Sequence, residues 1–321
     1  MRIVFLGTPD FATPALSALA ERFEVTLVVA QPDRPKGRGR VLSPPPVKER
    51  AFALGLPCLQ VEKPNAAGAV AALQAVRADL FVVVAYGAIL SPGLLAVPRL
   101  GCINLHASRL PAYRGASPIQ AALLEGRSET GNTTMWMAEG LDTGDAILQS
   151  TVAIGPDETA GELSARLADD GAALLVETVQ RLVTGDAPRT PQDGARATLT
   201  KKIRKADGLL DFTQPAQAVH DRARAMTPWP GAQAAFEGRV VRFERTRVVP
   251  VADVSAAPGT VLGEGPDGSL TVACGTNALA VLRVRPAGKN DMSALDWWRG
   301  LRSGKGSTPR FTTPSRDEEK P

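Results

Sequence analysis

Short apolar runs alternate with helix-like segments over the first 110 residues, and this alternation constrains the fold more than any other feature. The apolar runs are RIVFLG, FEVTLVVA, LPCLQV and DLFVVVAYG. Between them lie TPALSALAER, VKERAFALG and AAGAVAALQAVRA, in which apolar residues recur at helical spacing. Near-continuous hydrophobic strands separated by helices predict an α/β fold with a doubly wound, Rossmann-like, mostly parallel sheet that is covered on both faces.

The pattern changes twice further along the chain, which predicts two domains of unequal size. With 321 residues the chain exceeds what one hydrophobic core usually serves. We expect an N-terminal domain over residues 1–184 and a Pro-rich and charged basic linker over 185–206. Short strands with regular turn signals then predict a small OB-like β-barrel over 207–302, followed by a flexible tail over 303–321.

Composition excludes several classes of protein. The longest apolar stretches fall short of the roughly 20 residues that span a bilayer, and the N-terminal run lacks a signal-peptide cleavage pattern, so we expect a cytoplasmic protein. Cys58, Cys102 and Cys274 are far apart and flanked by apolar residues, which is typical of small core residues in a reducing compartment. With only two histidines and no clustered ligands, the sequence predicts no metal site.

Positive charge is concentrated in two places. Residues 1–200 carry a net charge of −2, whereas residues 201–321 carry +6. Within the N-terminal part, residues 31–50 contain six basic and two acidic side chains. Gly37 and Gly39 lie between the basic residues and make the backbone flexible. Such a cationic loop suits phosphate groups, and a basic C-terminal part suits a polyanion. An ordinary solvated surface is the alternative explanation for both features, and on composition alone it is the favoured one for residues 31–50.

The motif INLHASRLPAYRG follows an apolar strand and contains two polar residues that are candidates for chemistry. Asn104 and His106 are two positions apart, so on a strand their side chains share one face while Leu105 points to the other. In open α/β sheets ligands bind at the carboxyl ends of the strands, which is where this strand places the pair. The next segment, ASPIQAALLEG, predicts a helix capped by Ser117 with Pro118 at its first position.

Asp142, in the tight loop GLDTGD between two predicted strands, completes a possible catalytic trio. An Asn side chain can donate a hydrogen bond to negative charge on a carbonyl oxygen, and a His can accept a proton near neutral pH. A carboxylate can orient the imidazole or stabilise its cation. The trio therefore suits acyl transfer to an amine without a covalent intermediate, although a hydrogen-bonded histidine at a strand end and an unrelated turn aspartate would produce the same residues.

Other chemistries lack their motifs. The first strand-turn-helix, FLGTPDFATP, has one Gly where a dinucleotide-binding turn needs three, so NAD binding is excluded. A nucleoside triphosphate loop is likewise missing from the sequence, as is a nucleophile elbow.

The stretch INLHASRLPAYRGASPIQ, with GLDTGD downstream, resembles the 10-formyltetrahydrofolate-dependent formyltransferase family. The segments FLGTPDFA, QPDRPKGRGR, VVVAYGAILS and TPWPGA are similar, in the same order, to the members that formylate methionine on initiator methionyl-tRNA. One departure is Arg109, where the family pattern has Leu.

This resemblance implies a set of functional residues. Asn104, His106 and Asp142 would be catalytic. The folate that donates the formyl group would contact the following residues: Tyr86, Gly87, Ile89, Leu90, Ser108, Arg109, Leu110 and Pro111. The tRNA would contact basic residues of the loop and of the linker: Arg34, Lys36, Arg38, Arg40, Lys201, Lys202, Arg204 and Lys205. Arg38 corresponds best to the arginine of the family's tRNA-binding insertion.

The resemblance also implies that the partners are initiator methionyl-tRNA and folate, without metal or membrane, and we expect a monomer. The alternatives are a formyltransferase for an amino-sugar nucleotide and a non-catalytic tRNA-binding protein. A glycinamide ribonucleotide formyltransferase would leave the last 120 or so residues without a role.

Overall fold

The computed structural model describes residues 1–36, 39, 41–251, 255–301 and 309–313, and it divides into two compact units. The first unit consists of Met1–Pro118, Glu129–Ala153 and Ser164–Thr200. The second unit contains Ile119–Ser128, Ile154–Leu163 and the described residues from Lys201 onward. It therefore includes two short segments that lie, in sequence, within the predicted N-terminal domain.

Helices and strands of the described residues follow the predicted alternation closely. The α-helices are α1 (Thr13–Arg22), α2 (Pro46–Ala53), α3 (Ala67–Ala75), α4 (Pro92–Leu95), α5 (Pro118–Leu124), α6 (Ala160–Thr184), α7 (Ala216–Ala225) and α8 (Ala294–Arg299). The strands are β1 (Arg2–Gly7), β2 (Glu24–Ala30), β3 (Arg34–Lys36), β4 (Val41–Ser43), β5 (Cys58–Gln60), β6 (Leu80–Val84), β7 (Cys102–His106), β8 (Arg114–Gly115), β9 (Glu129–Thr130), β10 (Thr133–Trp136), β11 (Ala146–Gln149), β12 (Val152–Ala153), β13 (Leu199–Thr200), β14 (Ala232–Phe236), β15 (Arg239–Val249), β16 (Val261–Glu264), β17 (Leu270–Ala273), β18 (Ala278–Pro286), β19 (Met292–Ser293) and β20 (Phe311–Thr312).

The first unit contains the predicted doubly wound sheet, with strand order β11-β10-β7-β6-β1-β2-β5. The pairs β1–β2, β1–β6, β2–β5 and β6–β7 are parallel, and β10 runs antiparallel to both β7 and β11. Strand order reverses beside β1, since β2 and β5 lie on one side and β6 and β7 on the other. Residues of α1, α2 and α6 contribute to the apolar core on one face, and residues of α3 and α4 to the core on the other.

A glycine inside α6 lets that helix approach β7 closely. A Cβ atom at Gly171 would lie 2.7 Å from Leu105 Cδ2 and 3.3 Å from Asn132 Nδ2. Leu105 is 3% exposed and lies between Asn104 and His106 in β7. The missing side chain thus permits the close packing of α6 against this strand. This packing explains why α6 has a glycine here, although glycine weakens a helix interior.

The second unit is built on a curled antiparallel sheet that forms a half-barrel. Its strand order is β16-β17-β18-β15-β14-β20, and β19 pairs with β18. Its aromatic residues pack together, with Phe311 5.1 Å from both Phe236 and Phe243 between ring centroids, and with Trp297 5.4 Å from Phe236. The predicted barrel-like C-terminal fold is therefore confirmed.

The structure differs from the sequence-based expectations at two places in these units. Phe311 and Thr312 fall in the predicted flexible tail, yet they form β20 and Phe311 is buried, because its ring completes the aromatic core. The predicted linker is not irregular throughout, since Leu199–Thr200 pairs in parallel with Arg114–Gly115.

In the described parts of the chain, no helix has the length and apolar character needed to cross a membrane.

Candidate active site

Two neighbouring parallel strands, β6 and β7, end at the same edge of the sheet and deliver the predicted site residues there. Asn104 lies opposite Val83 of β6 and Met135 of β10, and His106 lies opposite Thr133. Asn104 is half-buried, and His106 is 7% exposed. Since residues two apart on a strand share a face, both side chains lie on the face opposite to Leu105, as the sequence predicted.

The two ring nitrogens of His106 have different neighbours. Nε2 lies 2.9 Å from the carbonyl oxygen of Tyr113. A carbonyl can only accept, so Nε2 carries the hydrogen and donates it. Nδ1 lies 3.6 Å from Asp142 Oδ2, which is beyond direct hydrogen-bond range. The backbone of Tyr113 therefore fixes the tautomer, and Nδ1 is the nitrogen that can accept a proton beside a carboxylate.

Asp142 is held by its surroundings rather than by His106 alone. Its Oδ2 accepts a hydrogen bond of 2.8 Å from the backbone N–H of Gly115, and its side chain is 13% exposed. Its backbone adopts a φ of +52°, a left-handed conformation that Asp tolerates better than most residues. Gly140 and Gly144 flank it in the loop, and a Cβ atom at either would collide with Thr143 or with the Trp136 backbone. Glycines are thus required at both positions of this tight loop.

Two residues that sequence reasoning missed, Thr133 and Gln149, shape the loop after β7. Thr133 Oγ1 donates to the carbonyl of Ser108 at 2.7 Å and accepts from the N–H of Leu110 at 3.0 Å. Gln149 Nε2 donates to the carbonyl of Leu110 at 2.7 Å and to Thr133 Oγ1 at 3.0 Å. The Leu110–Pro111 peptide is cis. The hydrogen bonds of Thr133 and Gln149 attach the predicted folate-side loop to β10 and β11. The sequence does not show this connection, because it depends on how the antiparallel strands at the edge of the sheet are placed.

The side chains of this loop do not all face outward. Ser108 is fully buried and its hydroxyl donates to the carbonyl of Ala112 at 2.6 Å, so it stabilises the loop internally. Leu110 is 5% exposed. Arg109, the departure from the family pattern, pairs with Glu129 at 2.7 Å, and both side chains are about half exposed. An acid on β9 therefore takes up the charge of Arg109.

The segment after β6 combines a buried tyrosine with an exposed apolar residue. The Tyr86 hydroxyl donates to the carbonyl of Val61 at 2.9 Å, and burial raises the pKa of Tyr86 to about 12, so the hydroxyl stays neutral. Leu90 is buried, whereas Gly87 is exposed and has a φ of +86°. Ile89 is 78% exposed although it is a large hydrophobic residue. The exposed backbone can contact the edge of a flat heterocycle, and the exposed isoleucine side chain can contact its face.

The cationic loop is only partly described. Arg34 and Lys36 belong to β3, which pairs with β4 in a hairpin, and the Arg34 side chain is exposed. Arg38 and Arg40 lie outside the described residues. The charge of Lys48 is paired within the protein, because its Nζ donates to both carboxylate oxygens of Asp33 and to Gln60 Oε1 at 2.8 to 2.9 Å. The hydrogen bond from Lys48 lowers the pKa of Asp33. This cluster fixes the base of the hairpin rather than adding to its free charge.

The predicted basic residues of the linker lie in the second unit, and their side chains are exposed: Lys201, Lys202, Arg204 and Lys205. The second histidine, His220, is buried there, with Nδ1 2.8 Å from Thr246 Oγ1 and Nε2 3.0 Å from the carbonyl of Pro156. It is a packing histidine with both ring nitrogens engaged.

The cysteines behave as core residues. Burial raises the pKa of Cys102 and of Cys274 to about 12, so both stay as unreactive thiols at neutral pH. Cys58 is partly buried, and burial raises its pKa as well. Among the residues that the structure describes, no group of three or more His, Cys, Asp or Glu side chains could hold a metal ion.

Comparison with known proteins agrees with this geometry. The sequence profile described as "Formyl transferase" matches residues 1–179, and the one described as "Formyl transferase, C-terminal domain" matches residues 202–302. The chain is 46% identical to a methionyl-tRNA formyltransferase of Symbiobacterium thermophilum, over 100% of this chain and 98% of that protein. It is 45% identical to a methionyl-tRNA formyltransferase of Geobacter metallireducens, over 94% of this chain and 96% of that protein.

Among solved structures, the chain is similar to an N-formyltransferase from Helicobacter canadensis in complex with folinic acid and dTDP-3-aminofucose. The TM-score is 0.63 at 15% identity, over 87% of this chain and 98% of that one. At this identity the likeness concerns the fold.

Proposed function

The chain belongs to the formyl transferase family, and we propose that it transfers the formyl group of 10-formyltetrahydrofolate to the amino group of methionine on initiator methionyl-tRNA. The single observation that carries the reaction type is the placement of His106 Nδ1 3.6 Å from Asp142 Oδ2, at the strand edge that also bears Asn104. The substrate follows from likeness to methionyl-tRNA formyltransferases at 45 to 46% identity over nearly the whole length of both chains.

The proposed reaction is a direct attack without a protein nucleophile. The methionine amino group attacks the formyl carbon, the bond from that carbon to N10 breaks, and N10 gains one proton for the one that the amine loses. The Asn104 amide donates a hydrogen bond to the developing oxyanion, where a fixed donor stabilises the transition state. His106 assists in stabilising that charge and accepts the amine proton at Nδ1, since Nε2 is held by the carbonyl of Tyr113. Asp142 then stabilises the imidazolium.

The two loops after β6 and β7 would hold the folate. The segment of residues 86–90 offers an exposed backbone and the exposed side chain of Ile89, which suit the edge and the face of a pterin. In the second loop, Leu110 and Pro111 would line the site, while Ser108 would act through the shape of the loop. Bound there, 10-formyltetrahydrofolate supplies an activated formyl carbonyl.

Basic side chains of both units would contact the tRNA, because neutralising phosphates is the sequence-independent part of nucleic-acid binding. In the first unit these are Arg34, Lys36, Arg38 and Arg40, and in the second they are Lys201, Lys202, Arg204 and Lys205. Because the proposed substrate is an aminoacyl-tRNA, we propose that the protein acts in the cytoplasm.

The rival functions have less support. A glycinamide ribonucleotide formyltransferase does not account for the C-terminal formyl transferase domain at residues 202–302. The amino-sugar alternative has a likeness at 15% identity, against 45 to 46% for the tRNA enzymes. A non-catalytic tRNA-binding protein would not need Asn104, His106 and Asp142 at one edge.

One assay separates these functions. The purified protein is incubated with 10-formyltetrahydrofolate and either methionyl initiator tRNA, an amino-sugar nucleotide or glycinamide ribonucleotide. We expect N-formylmethionyl-tRNA as the product. Formylation of the sugar or of glycinamide ribonucleotide, with methionyl-tRNA left unchanged, would refute the proposal.

A further inference from the structure

Residues 190–200, predicted to be part of a linker, lie against the candidate active site within the first unit. Thr190 and Ala146 exchange two backbone hydrogen bonds of 2.9 Å, which fixes the beginning of β11 just after the Asp142 loop. Thr198 Oγ1 accepts a 2.8 Å hydrogen bond from the N–H of Tyr113, whose carbonyl holds His106. The segment therefore contacts the backbone that follows the Asp142 loop and the backbone of the residue that holds His106.

Gln192 is the residue of this segment that reaches the Asp142 loop with its side chain. Its Nε2 donates to the carbonyl of Asp142 at 2.9 Å and to the carbonyl of Gly144 at 2.7 Å. Its Oε1 accepts two hydrogen bonds from the guanidinium of Arg114, from Nε at 3.0 Å and from a terminal nitrogen at 2.8 Å. Both amide hydrogens and the amide oxygen are thus used.

The loop that Gln192 holds needs such support. Asp142 has a φ of +52°, and its carboxylate must stay within reach of both Gly115 N–H and His106 Nδ1. Two bonds to the loop carbonyls fix the backbone from which that carboxylate projects. The guanidinium of Arg114 polarises the amide, which strengthens both N–H donors.

From these contacts we infer that Gln192 is a positioning residue, which acts on formyl transfer through Asp142. The inference rests on the proposed function for its kinetic consequence, though not for its geometry. A purely structural role is the competing explanation, in which Gln192 only ties Arg114 to the segment.

Substitution by glutamate separates the two explanations. Gln192→Glu keeps the length and strengthens the bond to Arg114, but it turns an oxygen toward the two carbonyl oxygens of Asp142 and Gly144. A structural tie to Arg114 would survive this change, whereas positioning of Asp142 would be lost. Gln192→Met keeps the length without either polar group, and it serves if the glutamate variant does not fold. The control is Gln74→Glu, the same chemical change at an exposed position of α3.

The experiment measures kcat, KM for both substrates and Tm for each variant. For Gln192→Glu we expect kcat to fall roughly tenfold to hundredfold, since a small misplacement of a catalytic group costs about that much. KM values should stay close to those of the wild type, and Tm should fall only slightly, because the lost hydrogen bonds are confined to one loop. Gln74→Glu should behave as wild type throughout. Wild-type turnover in Gln192→Glu would overturn the inference.

A double-mutant cycle with Asp142→Asn tests the route of the effect. If Gln192 acts through Asp142, the substitution at residue 192 adds little once the carboxylate is gone, whereas additive losses would overturn the inference.

Hydrogen exchange of the backbone amides in residues 140–145 gives a readout without activity. We expect faster exchange in Gln192→Met than in wild type, and equal exchange would count against the inference. An inactive wild-type protein whose loop is nevertheless loosened in Gln192→Met would refute the proposed function and would leave standing only the positioning of the Asp142 loop by Gln192.

Discussion

His106 donates a 2.9 Å hydrogen bond from Nε2 to the carbonyl oxygen of Tyr113, seven residues further along the chain. This bond closes the loop after β7 onto the histidine that begins it. It also decides which nitrogen faces Asp142, because a ring nitrogen that donates to a carbonyl cannot accept a proton from a substrate.

Replacing His106 tests its role as proton acceptor. We expect His106→Ala to lower kcat about 10²- to 10⁴-fold, the usual contribution of a general base, with tRNA binding retained. Steady-state kinetics and a filter-binding assay measure the two quantities. The matched control is His220→Ala, which removes the contacts to Thr246 and Pro156 and should lower Tm with little change in the kcat of folded protein. Near-normal turnover in His106→Ala would remove the residue from the mechanism.

The cationic loop is tested at Arg38, which we propose contacts the tRNA. We expect Arg38→Ala to raise KM for methionyl-tRNA and to make this KM less dependent on salt concentration, because one phosphate contact is lost. Folate binding should be unchanged. Arg50→Ala is the control, since the Arg50 side chain donates to Ser17 Oγ at 2.7 Å. Equal losses for tRNA and folate would contradict the assignment.

Arg109→Leu restores the residue that the family pattern has at this position. Because Arg109 pairs with Glu129 at an exposed position, its removal should cost no more than about 1 kcal/mol of stability. We expect kcat and the folate KM to remain near wild type, measured beside Glu129→Gln, which breaks the same pair from the other side. A large change in folate KM for Arg109→Leu alone would mean that the guanidinium contacts the folate.

Gly171→Ala tests the close approach of α6 to β7. An alanine gains about 1 kcal/mol of helix propensity, but its Cβ would lie 2.7 Å from buried Leu105, and overpacking costs about 1 to 3 kcal/mol. We therefore expect a lower free energy of unfolding in urea, with some loss of kcat because Leu105 lies between Asn104 and His106. Gly68→Ala in α3, where a Cβ meets nothing within 4 Å, should instead stabilise the protein slightly. A stabilised Gly171→Ala would show that the packing yields freely.

The Glu162–Arg245 pair makes stability depend on pH within the second unit. The hydrogen bond from Arg245 lowers the pKa of Glu162 to about 2 from its ordinary 4.5. A carboxylate whose pKa is lower in the folded than in the unfolded protein contributes its full stabilisation at pH values above the pKa of the unfolded state. For Glu162 that contribution is lost as pH falls from about 4.5 toward 2. The Tm difference between wild type and Glu162→Gln should therefore shrink over this window and, since the pair is partly exposed, also with added salt. Glu177→Gln on the same helix is the control, and a pH-independent Tm difference for Glu162→Gln would contradict the assignment.

Much of the first unit was predictable because hydrophobic periodicity is local. The strand predicted at RIVFLG is β1, the helix predicted at TPALSALAER is α1, and two-residue spacing put Asn104 and His106 on one face. The segment of residues 190–200 was predicted to be a linker because Pro, Gly and charged residues carry no periodic signal. Its order comes from hydrogen bonds to Ala146, Tyr113 and Asp142, which are 44 to 85 positions away for the bonds described above.

By itself the sequence determined the strands, the helices, the residue types of the trio and, through its motifs, the family. Only the tertiary structure decided the order of the strands, the tautomer of His106, the ion pair that takes up Arg109 and the clamp of Gln192 on the Asp142 loop. The physical reason is that side-chain periodicity is set by neighbours along the chain. Hydrogen bonds and ion pairs instead depend on atoms that the fold brings together from distant positions, and the spacing of residues in the sequence does not specify those distances.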